Sequence, residues 1–182
     1  MNKKKERGLL IVSIIIQITF LSGCMSNLKY ETFHGGIVCH TDITHNGVEE
    51  DLYVTYLPLT YNNMDLGFID VVDMDGKGIW GRSFGLPHAG WVSYYLVTIN
   101  GEDFIFQYCP EESQGLYSDY YKLFFLDSAG NEISVAEMNL ANADADILGE
   151  RLEEFYEKSE EYISRGELLV STWENELKYY GQ

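Results

Sequence analysis

Residues 91–108 read WVSYYLVTINGEDFIFQY, and the reading of this stretch decides the fold. Two runs rich in aromatic and β-branched side chains flank Asn100-Gly101, the pair best suited to a two-residue turn in which both central residues take positive φ. The spacing predicts a β-hairpin. Within its first arm Trp91, Ser93, Tyr95, Val97 and Ile99 share one face, and Val92, Tyr94, Leu96 and Thr98 share the other. Both faces are largely apolar, whereas a strand with one wet face alternates apolar with polar residues. Such a strand needs cover on each side, from a second layer or from a sheet that curls back over itself.

Outward from this hairpin the pattern repeats. FIDVVDMDGKGIWGRSF, residues 68–84, turns at Asp75-Gly76, and YKLFFLDSAGNEISV, residues 121–135, turns around Ser128 to Asn131. Three hairpins between Tyr30 and Val135 predict an antiparallel meander. Beyond them Leu148, Leu152, Phe155, Tyr156, Ser159, Tyr162 and Ile163 recur at helical spacing, with Asn142 or Asp144 as cap and Arg165-Gly166 as stop. A helix is expected over about 144–165. ELLVSTWENELKYYG, residues 167–181, places Leu169, Trp173, Leu177 and Tyr180 on one helical face, although LLVSTW has strand character. A second short helix is expected here, extending the helical segment over about 144–180. The whole is an α+β fold: an antiparallel β meander, as a curled sheet or half-open barrel, packed by one or two C-terminal helices.

The chain opens differently. Lys3, Lys4, Lys5 and Arg7 precede an apolar run from Leu9 to Leu21, which ends in Ser22-Gly23-Cys24. This is the layout of a secretory signal. The run is shorter than the roughly 20 apolar residues of a spanning helix and carries Ser13, Gln17 and Thr19. Leu21-Ser22-Gly23-Cys24 resembles the lipobox of bacterial lipoproteins. The resemblance implies that residues 1–24 are a signal peptide, that Cys24 carries the lipid, and that the mature chain is held on the extracytoplasmic face of the bacterial cell membrane; its length and the lack of a linker make residues 25–182 a single expected domain. Two or more acyl chains hold a protein on a bilayer far better than one. The five residues Met25 to Lys29 reach only about 17 Å when extended, so the domain would sit close to the lipid. SQGLYSDYYKLFFLDSAGNEISV, residues 113–135, resembles segments of small uncharacterised lipoproteins of Gram-positive bacteria, a likeness that brings no activity with it.

Composition sets further bounds. A hydrophobic content of 46% excludes disorder, and no proline-rich or serine-rich linker divides the chain. Removing residues 1–24 takes away four of the 12 basic and one of the 29 acidic side chains, which leaves a formal charge of about −20. Such a field repels nucleic acid and anionic headgroups and steers a basic partner. Cys39 and Cys109 remain after Cys24, and an exported location permits a disulfide between them, while each also suits a buried strand position as a free thiol.

The candidate sites are these. Gly81-Arg82-Ser83-Phe84-Gly85 matches the spacing of a hydrolase nucleophile elbow, but a strand-like run follows it where that elbow needs a helix. Asp73 and Asp75 in DMDGKG match the start of a calcium loop, yet the fifth position is Lys77 and the twelfth is Phe84, where ligands are needed. In HGGIVCHTDITHNG, residues 34–47, His34 and His40 stand about 20 Å apart along a strand, but His40, Asp42 and a folded-back His45 are zinc-competent. Tyr117, Tyr120 and Tyr121 could form a stacking surface, and Glu150, Glu153, Glu154, Glu157, Glu160 and Glu161 a solvated helix face. No coherent catalytic set and no cofactor motif emerges. The expected function is a membrane-anchored, non-enzymatic binding module, of inhibitor or immunity type, for a basic envelope protein. The alternative is a small envelope hydrolase or metal-dependent enzyme built on His40, Asp42 and His45.

Because no other thiol follows a lipobox-like sequence, Cys24→Ser is expected to lose the acyl mass and to appear unprocessed or released. Intact mass and detergent phase partitioning check this, and a variant that still partitions like the parent contradicts it.

Overall fold

The computed structural model describes residues 34–56, 65–85, 90–140 and 142–173. Residues 1–33, with the signal segment and Cys24, lie outside the described residues, as do His88 and residues 174–180 of the expected helical segment.

The hairpin at Asn100-Gly101 forms as read. Strand β5 (Ser93–Ile99) and strand β6 (Glu102–Cys109) pair from Ile99 against Glu102 to Ser93 against Tyr108, and the turn residues have φ of 55° and 86°. Positive φ at both positions gives the turn whose twist matches that of the strands. Strand β9 (Tyr120–Leu126) pairs with β6, and strand β10 (Glu132–Asn139) folds back on β9. The earlier part of the chain makes its own meander: β1 (His34–Thr41), β2 (Glu50–Tyr56), β3 (Asp65–Val72) and β4 (Gly78–Gly85), paired in sequence order. Short strands β7 (Glu112–Ser113), β8 (Leu116–Tyr117) and β11 (Ala143–Asp144) form a small third sheet.

The C-terminal part differs from expectation in two places. The helix is split into α1 (Ala145–Leu148) and α2 (Glu150–Arg165), because Gly149 lies between them at φ 52°, ψ −129°, which no helix accommodates. Asp144 caps α1 as read, its side chain accepting from the Ile147 N–H at 2.9 Å. Directly after α2 the chain is extended where a second helix is expected, and only Thr172 and Trp173, the last of the described residues, are helical. Residues Gly166–Ser171 form strand β12, antiparallel to β5 at the edge of the second sheet, and Thr172 extends the pairing by donating to the Val92 carbonyl at 2.9 Å. A Cβ at Gly166 would sit 3.0 Å from Tyr95 Cβ, so the passage from helix to strand is tightly packed at this residue. What overrides the helical spacing at Leu169 is the free edge of β5, whose N–H and C=O groups need partners.

The second sheet therefore runs β10-β9-β6-β5-β12, and it is the middle layer. One face packs on the first sheet: Tyr94, Ile105, Phe124 and Leu126 meet Leu52, Val54, Ile69, Val71 and Phe84. The other face packs on the helices: Val97, Phe106, Tyr108, Tyr121 and Leu123 meet Leu148 and Phe155. Neither sheet closes, and the result is an open β-sandwich with a helical layer on one side. Each edge strand of the two large sheets carries a bulge: Val38 in β1, Ile79 in β4, Val135 in β10 and Leu169 in β12 each have no partner in register. Bulges twist an edge away from pairing with a second molecule.

Cys39, in β1, and Cys109, in β6, belong to strands of different sheets, and both are free thiols here. Burial, the largest cause in each case, pushes both thiols up to about 11, which makes them poor nucleophiles at neutral pH. Among the described residues no helix is long and apolar enough to cross a membrane.

Candidate functional site

Three loops crowd one end of the sandwich. The β1–β2 loop is drawn there by Ile43, fully buried in the first core, whose carbonyl accepts from the Leu126 N–H at 3.0 Å. The β3–β4 and β9–β10 turns are built alike. In the first, the Asp73 side chain accepts from the N–H groups of Asp75 and Lys77 at 3.0 and 2.9 Å, and Gly76 has φ 78°. In the second, Asp127 accepts from Ala129 and Asn131 at 2.9 and 2.8 Å, and Gly130 has φ 81°. Both are Asp-x-x-Gly-x turns in which the carboxylate satisfies the backbone of its own loop. The resemblance of DMDGKG to a calcium loop has this origin, since Asp127 does the same work in a sequence with no calcium spacing.

Between the loops lies a cleft of about 500 Å³. Val48, Met74 and Ile79 supply an apolar flank, and Glu50, Asp73 and Asp75 supply carboxylates, with Lys77 as the cation on its wall. Glu50 is 3% exposed; its carboxylate accepts from the Ile43 N–H at 3.0 Å and from the Thr44 hydroxyl at 2.7 Å. Both donors are neutral, and among the described residues Glu50 has no ion pair. Met74 is 81% exposed at the tip of its turn.

Beside the cleft a second polar group ties the two sheets together. Glu132 of β10 accepts from the Trp80 indole at 2.9 Å, from Arg82 Nε at 2.9 Å and from Lys122 Nζ at 2.6 Å. Burial would raise its pKa, but the hydrogen bonds from Lys122, Trp80 and Arg82 together outweigh burial and hold the carboxyl below its usual range. The same corner is closed by backbone, since a Cβ at Gly130 would lie 2.3 Å from the Ile79 carbonyl oxygen. No local pattern announces this network, because its four members sit on β4, β9 and β10, up to 52 residues apart.

The sequence candidates are scattered by the same fold. His40 Nδ1 pairs with Asp51 across the β1–β2 ladder at 2.6 Å. Asp42 accepts from the Asn46 and Gly47 N–H groups at 2.9 and 2.8 Å and so shapes its own loop. His45, at φ 53°, donates from Nε2 to the Asp103 carbonyl at 2.7 Å and stacks on Phe125 with ring centroids 4.4 Å apart. The three do not converge, and among the described residues no group of three or more His, Cys, Asp or Glu side chains is placed to hold a metal. Ser83 is an exposed residue within β4, paired with Phe68, and not the tip of a strand-to-helix elbow. The tyrosines do not share a surface either: Tyr121 is buried in the second core with Tyr117 packed against it, while Tyr120 follows the opposite face of β9. Glu150, Glu153, Glu154, Glu157 and Glu160 are exposed along α2, and Glu161 pairs with Lys158 and Arg165.

Comparison with protein-family models, with curated proteins and with solved structures finds no match to this chain.

The Glu132 network gives a pH signature. A carboxylate held below its unfolded pKa contributes stability that is present above that pKa and lost as pH falls through the folded one. Glu132→Gln is expected to lower stability at pH 7 by on the order of 1 kcal/mol, since Arg82 leaves one side open to solvent. The gap between variant and parent closes in acid, where the parent carboxyl is itself protonated. Urea titrations at pH 7 and pH 3 check this, and a gap that is the same at both contradicts it.

Proposed function

We propose that the chain is a lipid-anchored binding module on the extracytoplasmic face of the bacterial membrane, and that its partner is a basic protein. The single observation that carries this reading is the division of labour among its polar side chains. Those suited to catalysis, His40, Asp42, His45 and Asp73, are consumed in holding loops and ladders. Those left open to solvent are overwhelmingly acidic, in a chain of formal net charge −17 before any processing. The exposed glutamates of α2 have few cations to offset them: Lys158 and Arg165 are both engaged by Glu161, and Arg151 reaches the Asn139 carbonyl at 3.3 Å. The lipobox supports the anchored location, and a short tether keeps the domain where exported or invading basic proteins arrive. Inhibitor and immunity proteins work in this way, by occupying a basic enzyme through complementary charge.

The test uses the full acylated chain in phosphatidylcholine vesicles. A basic protein captured from envelope extract at low salt is identified by mass, purified and rebound. Its association is expected to weaken steeply as salt shortens the Debye length from about 10 Å at 0.1 M to about 3 Å at 1 M. Replacing Glu153, Glu157 and Glu160 together with Gln is expected to slow association more than it speeds dissociation. An extract that yields no basic protein, at low salt as well as high, overturns the proposal.

A further inference from the structure

The cleft between the three loops has a chemistry more specific than general acidity. We infer that it receives one lysine or arginine side chain of the basic partner, with Glu50 and Asp75 as its counter-charges. This inference rests on the binding-module reading above and goes beyond it by naming the contact.

A long basic side chain has two parts, an aliphatic stem and a cationic head, and it binds best where apolar surface leads to a carboxylate. The cleft offers that sequence. Val48, Met74 and Ile79 are its apolar lining, and Glu50 and Asp75 line it together with Lys77 and neutral polar residues such as Thr44, Asn46 and Ser128. Glu50 matters most because it is buried and answered only by neutral donors, an arrangement in which an added cation gains most from the reduced dielectric. An ammonium brings three donors and a guanidinium five, so the lone pairs left open on the carboxylate oxygens are matched without displacing Ile43 or Thr44. Met74 stands 81% exposed on a tight turn, and a mobile thioether in that position moulds itself to an incoming stem. The cleft volume of about 500 Å³ is ample for one long side chain.

Lys77 gives the inference an unusual handle. It lines the same cleft and has no ion pair among the described residues, so it competes with the incoming cation. Removing its charge must therefore improve binding, whereas removing an acid must weaken it.

The experiment follows the full acylated chain in detergent micelles by NMR, with 13C-methyl methionine and 15N backbone labels. The probes are Nα-acetyl-lysine amide and Nα-acetyl-arginine amide, with Nα,Nε-diacetyl-lysine amide as the uncharged control. The Met74 methyl and the amides of Asp75 and Ser128 are expected to shift saturably with both cations and not with the control, while the Met138 methyl stays fixed. Asp75→Asn and Met74→Ala are expected to weaken the response about fivefold each, and Lys77→Gln to strengthen it. Glu50→Gln tests the buried charge, and Asp75→Asn on its exposed turn serves if that variant fails to fold. Equal shifts with the diacetyl control, shifts confined to α2, or no shift at all overturns the inference. A basic protein that binds the parent and the Asp75→Asn, Met74→Ala and Lys77→Gln variants with one dissociation rate overturns the cleft while leaving the broader function standing.

Discussion

Everything in this domain depends on one sheet being buried on both faces. Strands β5, β6 and β9 contribute alternate residues to two cores, so that Ile105 and Phe124 pack toward the four-stranded sheet while Phe106 and Leu123 pack toward α2. A sheet with two apolar faces cannot stand alone in water, since each uncovered face would cost its full burial energy. The first meander and the C-terminal helix are thus joint requirements of the same strands. The aromatic contacts follow from this: Phe106 lies 5.0 Å from Tyr162, and Tyr121 lies 5.3 Å from Phe155, ring to ring across the sheet–helix interface.

The middle layer also explains why the polar chemistry sits where it does. With two apolar cores filling the interior, charged groups are confined to the corners where the layers end. Glu132 closes one such corner by drawing Arg82, Trp80 and Lys122 from both sheets onto one carboxylate. The loops close another, each shaped by an aspartate that bonds to its own backbone. The cleft is thus framed by loops that are each hydrogen-bonded internally, on a scaffold that is packed through. Internal hydrogen bonding of that kind limits the conformations open to each loop.

Much of this was legible in the residues, and the exceptions have physical causes. Asn100-Gly101, Asp75-Gly76 and Gly130 announced their turns because positive φ is a local demand with few chemical solutions. The need for cover on both faces of β5 was legible from its two apolar rows. Strand β12 was not, because in six residues a helical and a strand spacing coincide, and only the open edge of β5 decides between them. The break at Gly149 is not legible in the 144–165 pattern, because a single glycine fits a helical spacing and only its φ and ψ show the interruption. The Glu132 network and the His40–Asp51 pair depend on strand register, which no short motif encodes. His40, Asp42 and His45 looked like a cluster because they are near in sequence, but each is claimed by a nearer structural duty.

The central claim is that the two cores are one cooperative structure through the shared sheet, and native-state hydrogen exchange on Phe155→Ala tests it most directly. Phe155 is fully buried on the helix side, and its truncation is expected to cost about 3 to 5 kcal/mol. The account predicts that amides of Leu52, Val54 and Ile69, in the sheet farthest from the mutation, lose protection by the same amount as those of Val97, Phe106 and Leu123. If the four-stranded sheet keeps the protection of the parent while the five-stranded sheet loses its own, the two cores are separable and the account is contradicted.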